Sequence, residues 1–249
     1  QASAHELLQG VAARLLTDDG TWPSERTAQA LSLHLSTGAE PARTVASWVP
    51  LRAAPAMAQN WKPTRAINLI VPWAAGGGSD SAARGIATAL EKELGVTINV
   101  VNRPGGGSVV GHTVMASAKP DGYTLGFVTG ELNMMHWQGL TKITHEDFTP
   151  LAMTNYDYPG VQVSADAPYN NVEELLKDIA DKPQGTFKAS GTGLGGIWHV
   201  AFAGLLMDRG IEPNKVTWIP SQGAAPAMVE LAAGSIELVP SSVPEARSM

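Results

Sequence analysis

Two glycine-rich segments carry the residues best suited to bind a small anion. Residues 73–80 read Trp-Ala-Ala-Gly-Gly-Gly-Ser-Asp, and residues 190–196 read Ser-Gly-Thr-Gly-Leu-Gly-Gly. The first four N–H groups of a helix lack partners within the helix, and the helix dipole favours negative charge there. Glycine lets a ligand approach the backbone closely. Both segments are predicted to join a strand to a helix, so together they could hold one carboxylate.

Plainer interpretations of these residues stay open at this point. Either glycine segment could be an ordinary tight turn. Asp80 could be a catalytic carboxylate, but an aspartate in a first helical turn is more typical of a cap. His199 either contacts ligand or packs, and Trp73 is expected to wall the pocket. Trp198 is interpreted as a core residue.

The spacing Gly191-x-Gly193-x-x-Gly196 also matches the dinucleotide fingerprint, which needs an acidic residue about 20 positions further on. The next predicted strand instead ends in Pro-Ser-Gln, and Glu212 lies before that strand. The alternative function, which this departure disfavours, is that of a nucleotide-binding, doubly wound α/β enzyme that uses Gly191 to Gly196. No Gly-x-Ser-x-Gly elbow, P-loop or metal-ligand spacing of histidines is present, so we predict no catalytic residue, metal or cofactor.

Composition narrows the possible partners. The 249 residues are 44% hydrophobic and 16% charged, which indicates a folded core. The net charge of -6 without a Lys/Arg block argues against nucleic acid as a main partner. There are no cysteines, so disulfides and cysteine metal sites are excluded. No apolar run approaches the roughly 20 residues of a membrane helix.

From residue 61 onward the pattern is that of a parallel α/β protein. An apolar strand at 67–71 precedes a helix whose face repeats at Ala83, Ile86, Leu90 and Leu94 and which ends at Gly95. A second series follows residue 150. The remaining predicted strands are 97–101, 124–129, 151–153, 160–163, 187–189, 216–219 and 236–239. The remaining predicted helices are 109–118, one capped by Asn171, 197–208, and one that starts at Pro226.

The first 58 residues differ in composition from the rest. They end near Ala54 to Ala58, an Ala-x-Ala-like stretch that resembles a signal-peptidase site. We expect this segment to pack poorly and to be trimmed first by proteases. The last residues, 243–249, read as a helix that has just begun, so the chain is expected to be a fragment lacking C-terminal structure.

Five motifs together resemble one protein family in their order and spacing. They are residues 70–80 with Arg84, 102–107, 119–125, 190–193 with His199, and 223–227. Over residues 61–249 the chain resembles the periplasmic receptors of tripartite tricarboxylate transporters, the Bug and TctC-like proteins. Each motif alone is weak, whereas the combination is specific.

The resemblance implies a two-lobed, type II periplasmic-binding-protein fold with a hinge and a central cleft. Lobe one would span 61–156 and lobe two 157–239, with 240–249 beginning a return to lobe one. It implies a periplasmic monomer that binds a di- or tricarboxylate, an amino acid or an aromatic acid and delivers it to membrane transporter subunits. A receptor that serves a sensor is a further possibility. The implied ligand-binding residues are Trp73, Ala75, Gly76, Gly77, Gly78, Ser79, Asp80, Thr129, Ser190, Gly191, Thr192, Gly193, His199, Ser221, Gln222, Gly223 and Ala224.

Overall fold

The computed structural model of the chain describes residues 62–246, so the expectations for the first 58 residues lie outside the described part. Within that part, the first sheet contains β1 (Ile67–Val71), β2 (Ile98–Asn102) and β3 (Thr124–Gly126), in the order β2-β1-β3. All of its strands are parallel. This βαβ arrangement matches the sequence prediction for the first half of the family-like region.

Two helices follow the strands of the first sheet. Helix α1 (Gly78–Leu94) comes after β1, and α2 (Val109–Ala116) comes after β2. Gly95 ends α1 in the left-handed conformation, with φ of 68° and its N–H bonded to the Glu91 carbonyl. Such an ending favours glycine, as the sequence predicted. The core packs β1 against α1 through Ile67, Leu69, Val71, Ala83, Ala87, Ile98 and Phe127.

The second sheet has the order β4-β7-β5-β6 and is mixed rather than parallel. Its strands are β4 (Pro159–Val163), β5 (Phe187–Ala189), β6 (Val216–Trp218) and β7 (Leu238–Ser242). Strands β5, β6 and β7 are parallel, whereas β4 runs antiparallel to β7. Helices in this half are α4 (Val172–Asp181), α5 (Ile197–Asp208), α6 (Ala224–Ala232) and the short α7 (Val243–Ala246), while α3 (Leu132–Met135) lies between the sheets in sequence.

Three sequence predictions of strand position were wrong. The predicted strand 151–153 is irregular, and its Leu151 and Met153 side chains are 65% and 84% exposed. The last strand is Leu238–Ser242 instead of 236–239, because its pairing with β4 carries it further along the chain. The predicted strand 124–129 pairs with β1 only over Thr124–Gly126. Residues 127–131, which follow β3, line the cleft described below.

None of the helices within residues 62–246 has the length and apolar content needed to cross a membrane. What matters for function is where the helices begin. Helix α1 follows β1, α5 follows β5, and α6 follows β6, so all three begin beyond the carboxyl end of a strand. In open α/β sheets this is the edge where ligands bind.

Candidate functional site

Three helices begin at the walls of one cleft of about 460 Å³. Gly77 and Gly78 bring the start of α1 to it, Ile197 the start of α5, and Ala224 the start of α6. Small-molecule sites usually have volumes of about 300–1,000 Å³. The positive ends of three helix dipoles therefore face a space of suitable size for a small anion.

Asp80 shapes the loop that leads into α1. Its Oδ2 accepts hydrogen bonds from the Gly76 N–H at 2.9 Å and from Arg84 Nε at 3.0 Å. Burial would raise the pKa of the Asp80 carboxyl, but the hydrogen bonds from Arg84, Gly76 and Asn102 outweigh burial and lower it. The carboxylate is thus committed to the loop, where Gly76 has the positive φ of 87° that favours glycine.

The start of α1 already carries a carboxylate from the protein itself. The Gly78 N–H donates to Glu245 Oε1 at 3.2 Å, and the Ser242 N–H donates to Glu245 Oε2 at 3.1 Å. Burial raises the pKa of the Glu245 carboxyl more than these hydrogen bonds lower it. The first predicted anion junction therefore has the geometry to accept a carboxylate oxygen.

The start of α5 carries a second carboxylate. Glu131 is 3% exposed, and its Oε1 accepts the Ile197 N–H at 3.2 Å. Its Oε2 accepts from the Thr129 hydroxyl at 2.7 Å, and that hydroxyl accepts from Trp73 Nε1 at 3.2 Å. This chain of hydrogen bonds ties two loops of the first sheet to the helix that follows β5.

Like the N-caps of α1 and α5, the N-cap of α6 is a glycine, Gly223, that provides no side-chain cap. The preceding residue connects it to the first loop, since the Ala74 N–H donates to the Gln222 carbonyl at 3.0 Å. A Cβ placed on Gly77 would lie 4.0 Å from the Ala225 nitrogen. The first turns of α1 and α6 are therefore close enough to approach one carboxylate group together.

His112 supports the loop of Thr129 from behind. It is fully buried, its Nδ1 lies 2.9 Å from the Ser108 carbonyl oxygen, and its Nε2 accepts the Thr129 N–H at 3.4 Å. An accepting Nε2 requires the neutral ring with its proton on Nδ1, donated to Ser108. Burial lowers the pKa of His112 more than the Ser108 hydrogen bond raises it.

This arrangement predicts a pH-dependent stability. The unfolded chain titrates this histidine near pH 6.5. Because the folded-state pKa is lower, the unfolded chain binds more protons between the two values, so the free energy of unfolding falls as pH drops through that window. One such histidine contributes a slope of up to about 1.36 kcal/mol per pH unit.

We expect His112→Gln to flatten this dependence between pH 7.5 and 5.5, measured by urea unfolding at both values. His199 also has a pKa lowered by burial, so some slope will remain and the comparison with the parent protein is essential. Equal slopes in parent and variant would show that His112 is not held neutral.

The glycines of the second junction are explained by close packing with the protein's own backbone. A Cβ on Gly191 would lie 2.7 Å from the Pro240 carbonyl oxygen, and one on Gly193 would lie 2.9 Å from the Gly107 Cα. Neither distance is compatible with a side chain. The match to a dinucleotide fingerprint therefore has a structural cause that does not involve phosphate.

His199 makes packing contacts and does not line the cleft. Its Nδ1 accepts the Gly195 N–H at 3.0 Å, and its ring centroid lies 4.7 Å from that of Trp218. Trp198, which the sequence suggested to be a core residue, instead lines the cleft. Trp73 is a cleft wall, as expected, and is 6% exposed.

The cleft brings together eight residues of the implied ligand-binding set. These are Trp73, Gly77, Gly78, Ser79, Thr129, Thr192, Gly223 and Ala224. The rest of the set does not line the cleft. Those residues are Ala75, Gly76, Asp80, Ser190, Gly191, Gly193, His199, Ser221 and Gln222.

Sequence reasoning missed several other residues that line the cleft, above all its acidic groups. They are Phe127, Glu131, Tyr156, Asp157, Trp198 and Glu245. No local pattern marks Glu131 or Glu245, because their hydrogen-bond partners at helix starts lie 66 and 167 residues away in the chain. An acidic residue after a predicted strand end was the only available signal, and Glu131 has it.

Comparisons with known proteins agree with this geometry. A UPF0065 protein of Bordetella pertussis is 30% identical over 198 residues, which are 79% of this chain and 60% of that protein. BugT of the same species is 30% identical over 205 residues, covering 79% of this chain and 61% of BugT. The chain thus spans about 60% of the length of these curated relatives.

Solved structures of periplasmic proteins superpose on this chain. A periplasmic transporter superposes with a TM-score of 0.65 at 26% identity, over 74% of this chain and 61% of that one. MatC of Rhodopseudomonas palustris, solved with bound malate, has a TM-score of 0.63 at 25% identity over 74% and 62% of the two chains. The fold is therefore that of the periplasmic binding proteins.

The family comparison is the most specific. The profile of the tripartite tricarboxylate transporter family receptor matches residues 82–249, more than half of the chain. The match includes both sheets' later strands and the starts of α5 and α6. The chain belongs to the tripartite tricarboxylate transporter receptor family.

Proposed function

We propose that this protein is a periplasmic solute-binding receptor that captures a small carboxylate in the cleft and delivers it to membrane subunits of a tripartite tricarboxylate-type transporter. It acts as a monomer and catalyses no reaction. The bound carboxylate accepts hydrogen bonds from N–H groups at the starts of α1 and α6. No cofactor is needed, because backbone amides and helix dipoles supply the recognition.

The observation that carries this proposal is the carboxylate of Glu245 on the Gly78 N–H. An anion of the same chemistry as the proposed ligand fits the first turn of α1 at 3.2 Å, within a cleft large enough for a small molecule. A ligand carboxylate would take the place of this side chain and gain the adjacent start of α6.

Relatives support the same assignment. MatC was solved with malate, and BugD was solved as a periplasmic binding protein with a TM-score of 0.56 to this chain at 28% identity. We infer from them that residues 61–156 and 157–239 form two lobes that close on the ligand. The hydrogen bond between Ala74 and Gln222 would belong to the closed arrangement.

A thermal-shift screen of small carboxylates against nucleotides tests the function. A ligand present at a hundred times its dissociation constant adds about 2.7 kcal/mol of stability, which is readily detected as a higher melting temperature. We expect a carboxylate to raise the melting temperature, and ATP and NAD to leave it unchanged. Stabilisation by nucleotides alone would favour the enzyme alternative instead.

A further inference from the structure

The acidic side chains in the cleft restrict the charge of its ligand, and this inference rests on the proposed function. Three carboxyl groups line the cleft: Glu131, Asp157 and Glu245. Among the lining residues that the structure describes, there is no lysine, arginine or histidine. A ligand with two or three carboxylates would therefore face like charges without a cationic partner.

Glu131 fills the one position where a second ligand carboxylate would best be bound. Each of its oxygens is hydrogen-bonded, one to the Ile197 N–H and one to the Thr129 hydroxyl. Thr129 is itself held by Trp73 and by His112. Displacing a buried carboxylate from such partners leaves unpaired polar groups on both sides, so the start of α5 is closed to ligand.

The start of α1 is the more accessible junction. Glu245 lies on the four-residue helix α7, and burial raises the pKa of its carboxyl. Both oxygens of Glu245 are hydrogen-bonded, as those of Glu131 are, but Glu245 is partly exposed whereas Glu131 is only 3% exposed, so Glu245 is the easier of the two to exchange for an incoming carboxylate. We therefore expect the cleft to bind one ligand carboxylate, at the start of α1.

The remaining surface of the cleft suits a cationic or neutral polar group. Trp73, Tyr156 and Trp198 provide aromatic walls, which attract ammonium groups. Thr192, 4% exposed, lines the same space, and its hydroxyl has no hydrogen-bond partner in the described part of the chain. A buried hydroxyl without a partner indicates that a ligand group completes its hydrogen bonding.

We infer that Glu131 is a specificity-determining residue that restricts the cleft to ligands with one carboxylate and favours those that also carry an ammonium group. The single carboxylate binds at the start of α1. The ammonium group lies toward Glu131 and Asp157. Dicarboxylates of the same length are rejected by charge rather than by size.

Three four-carbon probes test this inference because they differ mainly in one terminal group. They are succinate, butyrate and 4-aminobutyrate, each titrated calorimetrically into the protein. We expect 4-aminobutyrate to bind at least about tenfold more tightly than succinate, since one end meets a like charge in succinate and an opposite charge in 4-aminobutyrate. Butyrate should lie between the two.

Variants that remove one charge each test which carboxyl group causes the preference for 4-aminobutyrate over succinate. Glu131→Gln has nearly the same shape but no charge, and should reduce the preference for 4-aminobutyrate over succinate by about tenfold. Asp157→Asn, at an exposed position, should also reduce the preference for 4-aminobutyrate over succinate. It replaces Glu131→Gln as the test if that variant does not fold. Glu212→Gln removes one charge from an exposed position that does not line the cleft and should leave the preference unchanged.

A parent protein that prefers succinate, or a preference that survives both Glu131→Gln and Asp157→Asn, would overturn the inference and leave the carboxylate-receptor function standing. Absence of binding by all three probes, together with no stabilisation by any carboxylate in the thermal-shift screen, would instead remove the proposed function itself.

Discussion

Replacing Gly77 with valine is expected to weaken carboxylate binding at least tenfold while leaving the fold intact. Gly77 has φ of -83° and ψ of 178°, which any residue adopts, and an added Cβ would make only ordinary contacts with the Ala74 oxygen at 3.8 Å and the Ala225 nitrogen at 4.0 Å. The valine methyl groups would, however, occupy the space between the first turns of α1 and α6. Losing one charge-assisted hydrogen bond costs about 1.5–3 kcal/mol, equivalent to tenfold or more in affinity.

Calorimetric titration of parent and variant with the best carboxylate from the screen measures this effect. Gly85→Val is the matched control, because Gly85 is an exposed residue of the same helix with nothing within 4 Å of its Cβ position. It should change stability slightly and affinity not at all. Unchanged affinity in Gly77→Val would remove this loop from the binding site.

The largest effect on stability is expected for Gly111→Ala. A Cβ at this position of α2 would lie 2.5 Å from the Pro72 Cα, 2.6 Å from the Pro72 Cβ and 2.9 Å from the Arg103 carbonyl oxygen. These are mainly backbone or ring atoms that cannot move away without shifting β1 or its loop. Overpacking typically costs about 1–3 kcal/mol, and we expect the upper part of this range or more.

Urea unfolding followed by circular dichroism compares Gly111→Ala with Gly85→Ala. The second change also adds one methyl to a helical glycine, but into open space, and should raise the free energy of unfolding by about 0.5–1 kcal/mol. Opposite signs for the two substitutions are the expected result. A Gly111→Ala variant as stable as the parent would mean that α2 does not pack this closely against the loop after β1.

Local signals in the sequence were sufficient to predict the strand and helices that frame the site. Strand Ile67–Val71 and helix Ile197–Asp208 were predicted with their observed bounds, and the end of α1 at Gly95 was confirmed. Each combines a run or face of apolar residues with a glycine or proline near its end, so neighbouring residues determine it.

Features that depend on pairing between residues far apart in the chain could not be predicted from local patterns. The antiparallel pairing of β4 with β7 joins residues about 79 positions apart, such as Val161 and Pro240, and it shifted the last strand by several residues. The roles of Glu131 and Glu245 depend on contacts with residues 66 and 167 positions away in the chain. Charge in the cleft was therefore the part of the site that sequence reasoning missed.

The glycine motifs show why a pattern alone left two functions open. Free N–H groups at a helix start suit a carboxylate and a pyrophosphate equally well. The structure separates the two segments, because the glycines at 191 and 193 pack against Pro240 and Gly107, whereas Gly77 and Gly78 face the cleft. Of the glycines in these two segments, Gly77 and Gly78 are the ones that line the cleft.

A crystal structure of the protein with the tightest-binding carboxylate tests the central claim most directly. We expect carboxylate oxygens within about 2.7–3.2 Å of backbone nitrogens in the first turn of α1, with the Glu245 side chain displaced from Gly78. The ligand would lie between this turn and the start of α6. A carboxylate bound elsewhere, such as in the groove beside Tyr169 and Phe187, with Glu245 still on Gly78, would contradict it.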